Sequence, residues 1–122
     1  MKKSETKENY LEAIYIISLN KTNVRAMDIV NYLGYSRPTV SIALKELEAG
    51  DFLKMDGFNV ILTDKGKHIA ETIYERHELI AALLMYLGVD EKTAYEDSCK
   101  IEHDISKTSF EAIKNSIKNH RK

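Results

Sequence analysis

Cysteine and proline each occur once in this chain, and basic residues hold no majority: 18 Lys and Arg stand against 19 Asp and Glu, for a net charge of −1. A single cysteine cannot build an intramolecular disulfide framework. This excludes the disulfide-stapled secreted domains and leaves Cys99 as a packed thiol, a reactive thiol or a metal ligand. The lone proline excludes a fibrous or proline-rich chain, and 43% hydrophobic residues exclude the low-hydrophobicity signature of disorder. No apolar run is long enough to cross a bilayer. The start, MKKSETKENYLEAIYII, has neither the uninterrupted apolar stretch nor the small-residue cleavage site of a signal peptide, so a cytoplasmic protein with no membrane partner is expected. The missing basic excess is unusual for a nucleic-acid binder, because phosphate attraction normally appears as surplus Lys and Arg. It fits a protein whose acidic groups are neutralised by bound cations before it meets DNA. The length, 122 residues, allows one compact core, or a small domain with an appended helical module that buries its apolar face against a partner subunit.

What is present is mostly helical patterning. From about Glu5 to Leu19, Tyr10, Ile14 and Ile17 recur at spacings of four and three with Leu11 beside them, the stripe of an amphipathic helix. After a polar connection from Asn20 to Asn23, two short helices follow, Ala26 to Leu33 stopped by Gly34 and Arg37 to Glu48 stopped by Gly50. Ser36 is the N-cap of the second, and Pro38 sits in its first turn, where a missing N–H costs nothing. Two helices joined by a tight Gly-containing turn form the helix-turn-helix pattern. Val40, Ala43, Leu44 and Leu47 are expected inward, leaving Arg37, Thr39, Ser41, Ile42 and Lys45 outward; with Ser36 and Pro38 at the helix start these are the candidate DNA contacts. The runs FLKM and NVIL around Asp56-Gly57-Phe58 then read as a β-hairpin, the wing.

Beyond it, Thr63 caps a long helix carrying Ile69, Ile73, His77, Ile80, Leu84 and Leu87 at spacings of three and four, closed by Gly88. Asp90 caps the next, and Thr108-Ser109-Phe110-Glu111 reads as a capping box opening a last helix with the stripe Phe110, Ile113 and Ile117. The expected architecture is mainly α: a winged helix-turn-helix over residues 1–64 followed by an all-helical dimerisation domain over 65–122. The apolar stripes of the second half have few partners within so short a chain, so burial against an identical subunit is expected.

One constellation carries chemistry. Cys99, Glu102 and His103 stand at i, i+3 and i+4 and project from one helix face, offering thiolate, carboxylate and imidazole to a borderline divalent metal. His77 interrupts an aliphatic stripe, and Glu12 lies beside Leu11 and Tyr15 on the first helix. Spacing alone leaves open that His77 is a hydrogen-bonded core residue, Cys99 a packed thiol and Glu102 a solvated charge.

In order along the chain, ENYLEAIY, YSRPTVSIALKELEAGDFL, LTDKGKHIA, ERHELI and CKIEHDIS resemble the diphtheria-toxin-repressor family of metal-dependent regulators, which includes iron regulators and manganese transport regulators. The resemblance spans nearly the whole chain. It implies a homodimer on operator DNA, with metal held between the first helix and the dimerisation helices. Glu12, His77, Glu102 and His103 match ligand positions of the manganese branch. Cys99 matches a position where the iron branch has cysteine and the manganese branch glutamate, and Asn9 falls where the branches have methionine or aspartate. Ala81 and Tyr95 occupy second-site ligand positions of the iron branch, so that second site is not expected. The chain ends at Lys122, which resembles the short architecture without an SH3-like C-terminal domain.

A thiolate favours Fe(II), Co(II), Ni(II) or Zn(II) over the harder Mn(II), so Fe(II) is the expected corepressor, with Mn(II) as the alternative favoured by Glu12 and Glu102. The implied function is repression of iron or manganese homeostasis genes when the ion is plentiful. A metal-independent winged-helix repressor and a small metal-dependent hydrolase are the alternatives. The second lacks a spare catalytic group with a convincing placement.

Overall fold

The structure, a computed structural model, describes residues 3–120. The elements run α1 (Lys3–Asn20), α2 (Ala26–Leu33), α3 (Arg37–Ala49), β1 (Leu53–Asp56), β2 (Asn59–Leu62), α4 (Asp64–Tyr86), α5 (Glu91–Asp104) and α6 (Lys107–His120). They form two compact units, Met1–Glu71 and Thr72–Lys122, with α4 running through the boundary.

The first unit is a winged helix-turn-helix with its own core. Tyr10, Leu11, Ala13 and Ile14 of α1 are buried with Ile29 of α2, with Val40, Leu44 and Leu47 of α3, and with Leu53 and Val60 of the hairpin. Burying each of the large aliphatic side chains contributes about 1.5–3 kcal/mol, so the three-and-four spacing decides which helix faces meet. Ala43 is only partly buried but packs against this cluster. Helix α2 opens on Arg25, whose backbone N–H donates to Asp28 Oδ2 at 2.9 Å, and closes where Gly34 N–H reaches Val30 O at 2.9 Å. Helix α3 opens on Ser36, whose Oγ accepts from Thr39 N–H at 3.3 Å, with Pro38 in the first turn.

The wing is antiparallel with Leu53 opposite Leu62 and Asp56 opposite Asn59. Asp56 therefore ends the strand rather than belonging to the turn, which is the pair Gly57-Phe58. Gly57 takes φ 62° and Phe58 does not share the positive φ, the φ pattern of a type II′ turn. Val60 N–H donates to Val24 O at 2.7 Å and Arg25 bridges to Asn59, tying the hairpin to the segment before α2.

In the second unit, Ile73, Ile80 and Ala81 of α4, Ala94, Ser98 and Glu102 of α5, and Phe110 of α6 are buried. Leu87, expected to extend the stripe of α4, lies past its end and is exposed. Asp90 caps α5, accepting from Thr93 N–H at 3.0 Å. The cap of α6 differs from expectation. Ser106, not Thr108, precedes the helix and accepts from Ser109 N–H at 3.1 Å. Ser106→Ala is accordingly expected to destabilise the protein by about 1 kcal/mol and Thr108→Ala by roughly a few tenths, a difference that thermal unfolding of the two variants reads directly.

Candidate metal centre and nucleic-acid interface

In the second unit, α4 and α5 bring three dissimilar donor atoms together. His77 Nδ1 stands 2.9 Å from Glu102 Oε2 and 3.4 Å from Cys99 Sγ. The ligand atoms of all three residues lie within 4.8 Å of one another. Atoms bound to one ion at about 2.0–2.3 Å stand about 3–3.7 Å apart, and His77 Nδ1 stands close to that spacing from both of its neighbours. Glu102 is fully buried, and His103 Nε2 lies 3.3 Å from its second oxygen, Oε1. That oxygen makes no hydrogen bond among the described residues. A buried carboxylate with an unsatisfied oxygen is costly unless a cation neutralises it, and the N, S and O donors around it suit a borderline divalent ion. The residues fit a metal.

Burial works against a charged ring at His77, but the hydrogen bonds and charges of Cys99 and Glu102 together outweigh it and push its pKa up to about 10. A proton and a metal ion would therefore compete for the same nitrogen, His77 Nδ1.

Supporting side chains hold the geometry. The Tyr95 ring lies 5.3 Å from that of His77, and its hydroxyl donates to Glu78 Oε2 at 2.9 Å. Arg76 donates to the backbone oxygen of Glu102 at 3.4 Å and places its guanidinium 5.3 Å from the Phe110 ring. Neither Arg76 nor Glu78 was singled out from the sequence. Their only signal was position, flanking His77 in ERHELI.

In the first unit, Arg37, Pro38, Thr39, Ser41, Ile42 and Lys45 of α3 are all exposed, as is Ser36. Arg37 Nε lies 3.2 Å from Met27 Sδ, and Ser36 and Thr39 share a hydroxyl contact of 2.8 Å within the cap. Glu48 Oε2 accepts from Met55 N–H at 3.0 Å, which turns that carboxylate toward the wing.

Residues 2–57 match the iron dependent repressor N-terminal DNA binding domain, and residues 63–122 match the iron dependent repressor metal binding and dimerisation domain. The HTH-type transcriptional regulator MntR of Bacillus pumilus is 35% identical over 107 residues, 87% of this chain and 74% of that protein. The chain belongs to the diphtheria-toxin-repressor family. MntR of Bacillus subtilis is 34% identical over the same share of the chain and 75% of its own length. Among solved structures, the manganese regulator SloR superposes with a TM-score of 0.80 at 29% identity, and ScaR with bound Zn2+ with a TM-score of 0.77 at 28%. Each covers 92% of this chain, which in turn spans 53% of theirs, about half their length. Members of the diphtheria-toxin-repressor family are metal-dependent transcriptional regulators and not enzymes, which removes the hydrolase alternative.

Of the six residues expected to bind metal, His77, Cys99 and Glu102 converge. His103 meets the other oxygen of Glu102. Asn9 and Glu12 belong to α1 in the first unit, where Asn9 is half-buried and Glu12 is 7% exposed.

Proposed function

We propose that this chain is a cytoplasmic repressor that binds operator DNA as a homodimer when a divalent metal is bound, reading the major groove with α3 and flanking it with the β1–β2 hairpin. The observation that carries this reading is the convergence of His77 Nδ1, Cys99 Sγ and Glu102 on the half of the chain that matches a metal binding and dimerisation domain. His77, Cys99, Glu102 and His103 are the proposed ligands from this cluster. Asn9 and Glu12 are proposed as further ligands on the family resemblance alone.

A bound divalent ion supplies positive charge and a rigid tie among its ligands. Glu102 presents one oxygen to His77 and the other to His103, so its carboxylate can serve two cation positions. Ligands drawn from α1 as well as from α4 and α5 would restrict how the two recognition helices of a dimer move. That lowers the entropic cost of engaging two half-sites at once. Neutralising the buried carboxylate also reduces repulsion from phosphate. No helix among the described residues is long and apolar enough to cross a membrane, which is compatible with a cytoplasmic regulator.

For the ion itself we propose Fe(II), on the thiolate of Cys99. Mn(II) is the second reading, favoured by the two carboxylates of the proposed ligand set and by the likeness to the manganese regulator SloR. Operator binding measured anaerobically across Fe(II), Mn(II), Co(II) and Zn(II) tests the whole reading. Binding that chelation leaves unchanged would instead make this a metal-independent repressor. Cys99→Glu, which exchanges a soft ligand for a hard one, is expected to move the preference toward Mn(II) by about tenfold. An unchanged ranking of the metals in that variant removes the thiolate argument.

A further inference from the structure

We propose that Ile42 is a base-reading residue of α3, and that the group it reads is the C5-methyl of a thymine in each half-site. The inference rests on the DNA-binding reading above and deepens it by naming the chemistry recognised.

The helix geometry comes first. Val40, Leu44 and Leu47 are 0%, 5% and 4% exposed and define the buried face of α3. At about 100° per residue, Ile42 projects roughly 190–200° from the centre of that face, directly away from the core. It is 60% exposed, against which burial of a large aliphatic side chain would ordinarily be worth about 1.5–3 kcal/mol. Pro38 precedes it by one turn on the same outer row and is also exposed, so this row begins with two side chains that carry no hydrogen-bonding group. Lys45 continues the row and is placed for phosphate, while Thr39 and Ser41 stand on either side of it.

The chemistry follows from what the major groove displays. Adenine, guanine and cytosine present donors or acceptors there, and thymine alone adds an apolar group, its C5-methyl. An isoleucine pressed against the N4 amino group of cytosine or the N6 amino group of adenine would strip water from a donor and return no partner. Against thymine it buries methyl on methyl. A recognition helix whose outermost early positions are Pro38 and Ile42 therefore selects by van der Waals contact at this step rather than by a hydrogen-bonding pair.

The test uses duplexes selected from a randomised pool by the full chain loaded with Mn(II) or Fe(II), in which each thymine is replaced in turn by deoxyuridine. Deoxyuridine pairs identically and lacks only the methyl. At one thymine per half-site the replacement is expected to weaken binding roughly fourfold, and by roughly tenfold or more when both half-sites carry it, the value of one buried methyl per contact. Ile42→Ala should weaken binding to the thymine duplex and lose the thymine-over-uracil preference at that position while keeping it elsewhere. Its side chain is exposed, so the variant should fold and take up metal as the parent does. A flat uracil scan, or a methyl effect that survives unchanged in Ile42→Ala, overturns the assignment while leaving DNA binding intact. Failure of the metal-loaded chain to select any duplex overturns the DNA-binding reading and this inference with it.

Discussion

Glu102→Gln is expected to abolish metal-dependent operator binding while leaving a folded protein. Glutamine keeps the volume of a side chain that is fully buried, so no cavity opens. What goes is the charge that faces His77 through Oε2 at 2.9 Å and His103 through Oε1 at 3.3 Å. Outer partners of metal ligands typically cost 10–100-fold in affinity when removed, and a carboxylate in contact with the ion should exceed that, so a loss of at least about a hundredfold is expected. Isothermal titration with Mn(II) or Fe(II) reads the affinity, and circular dichroism shows whether the fold remains.

The same substitution has a signature in pH. His77 must release its Nδ1 proton before that nitrogen can accept a metal, and its pKa of about 10 means the ring is protonated across the neutral range. Apparent metal affinity of the parent chain should therefore rise as pH rises, by up to about tenfold per unit below that pKa from this group. In Glu102→Gln the ring keeps the hydrogen bond to Cys99 but loses the carboxylate, so the dependence contributed by His77 should flatten near its upper end. A Gln variant that still binds metal within about threefold of the parent would remove Glu102 from the ligand set and with it the centre as described.

Much of the fold was open to sequence reasoning because it depended on periodicity and on small residues with one strong habit. Val40, Leu44 and Leu47 declare the inner face of α3 by spacing, and Ser36 and Pro38 declare its start. The departures came where two patterns competed locally. Thr108 with Glu111 satisfied the capping-box signature, whereas Ser106 satisfies Ser109 N–H without any acid three residues on. Asp56-Gly57-Phe58 contains a favoured turn pair, yet the strand register closes around Gly57-Phe58 instead. Register is set by which side chains face the core, here Leu53 and Val60, rather than by the turn residues alone.

The centre was legible to a similar depth. Helical spacing put Cys99, Glu102 and His103 on one face, but spacing does not say how deep a side chain sits or which of its atoms faces which neighbour. The burial of Glu102 depends on what packs around it, including Arg76, which reaches its backbone oxygen from α4. That is a tertiary fact with no periodic trace. The partition of the carboxylate, one oxygen toward His77 and one toward His103, is of the same kind. The choice of Fe(II) over Mn(II) rests on ligand softness, in which a single thiolate is weighed against carboxylates.

Gly66→Ala is expected to be the most damaging small substitution in the chain, although Gly66 is not among the proposed ligands and carries ordinary helical backbone. A Cβ at this position would stand 1.9 Å from the backbone oxygen of Phe52 and 2.9 Å from its carbonyl carbon. The obstructing atoms are main chain, and they are held. Phe52 O accepts from Thr63 N–H at 3.2 Å, and Phe52 N–H donates to Leu47 O at 2.9 Å. The Thr63 hydroxyl donates to Asp51 O at 2.7 Å while accepting from Gly66 N–H at 3.2 Å. Moving Phe52 away breaks this junction between the end of α3, the foot of the wing and the start of α4, and moving α4 away breaks the same bonds from the other side. Overpacking of a well-packed site costs about 1–3 kcal/mol, and here nothing flexible can yield, so roughly 3 kcal/mol or more is expected, a fall in Tm of more than about 10 °C at fixed protein concentration.

Gly50→Ala provides the control. Its Cβ would meet Phe52 Cε2 at 2.8 Å, a less severe contact, and the ring is the end of a rotatable side chain that can swing aside. That variant should melt within a few degrees of the parent. If Gly66→Ala melted alongside it, the close approach of α4 to Phe52 would not be what joins the wing to the helix that carries His77.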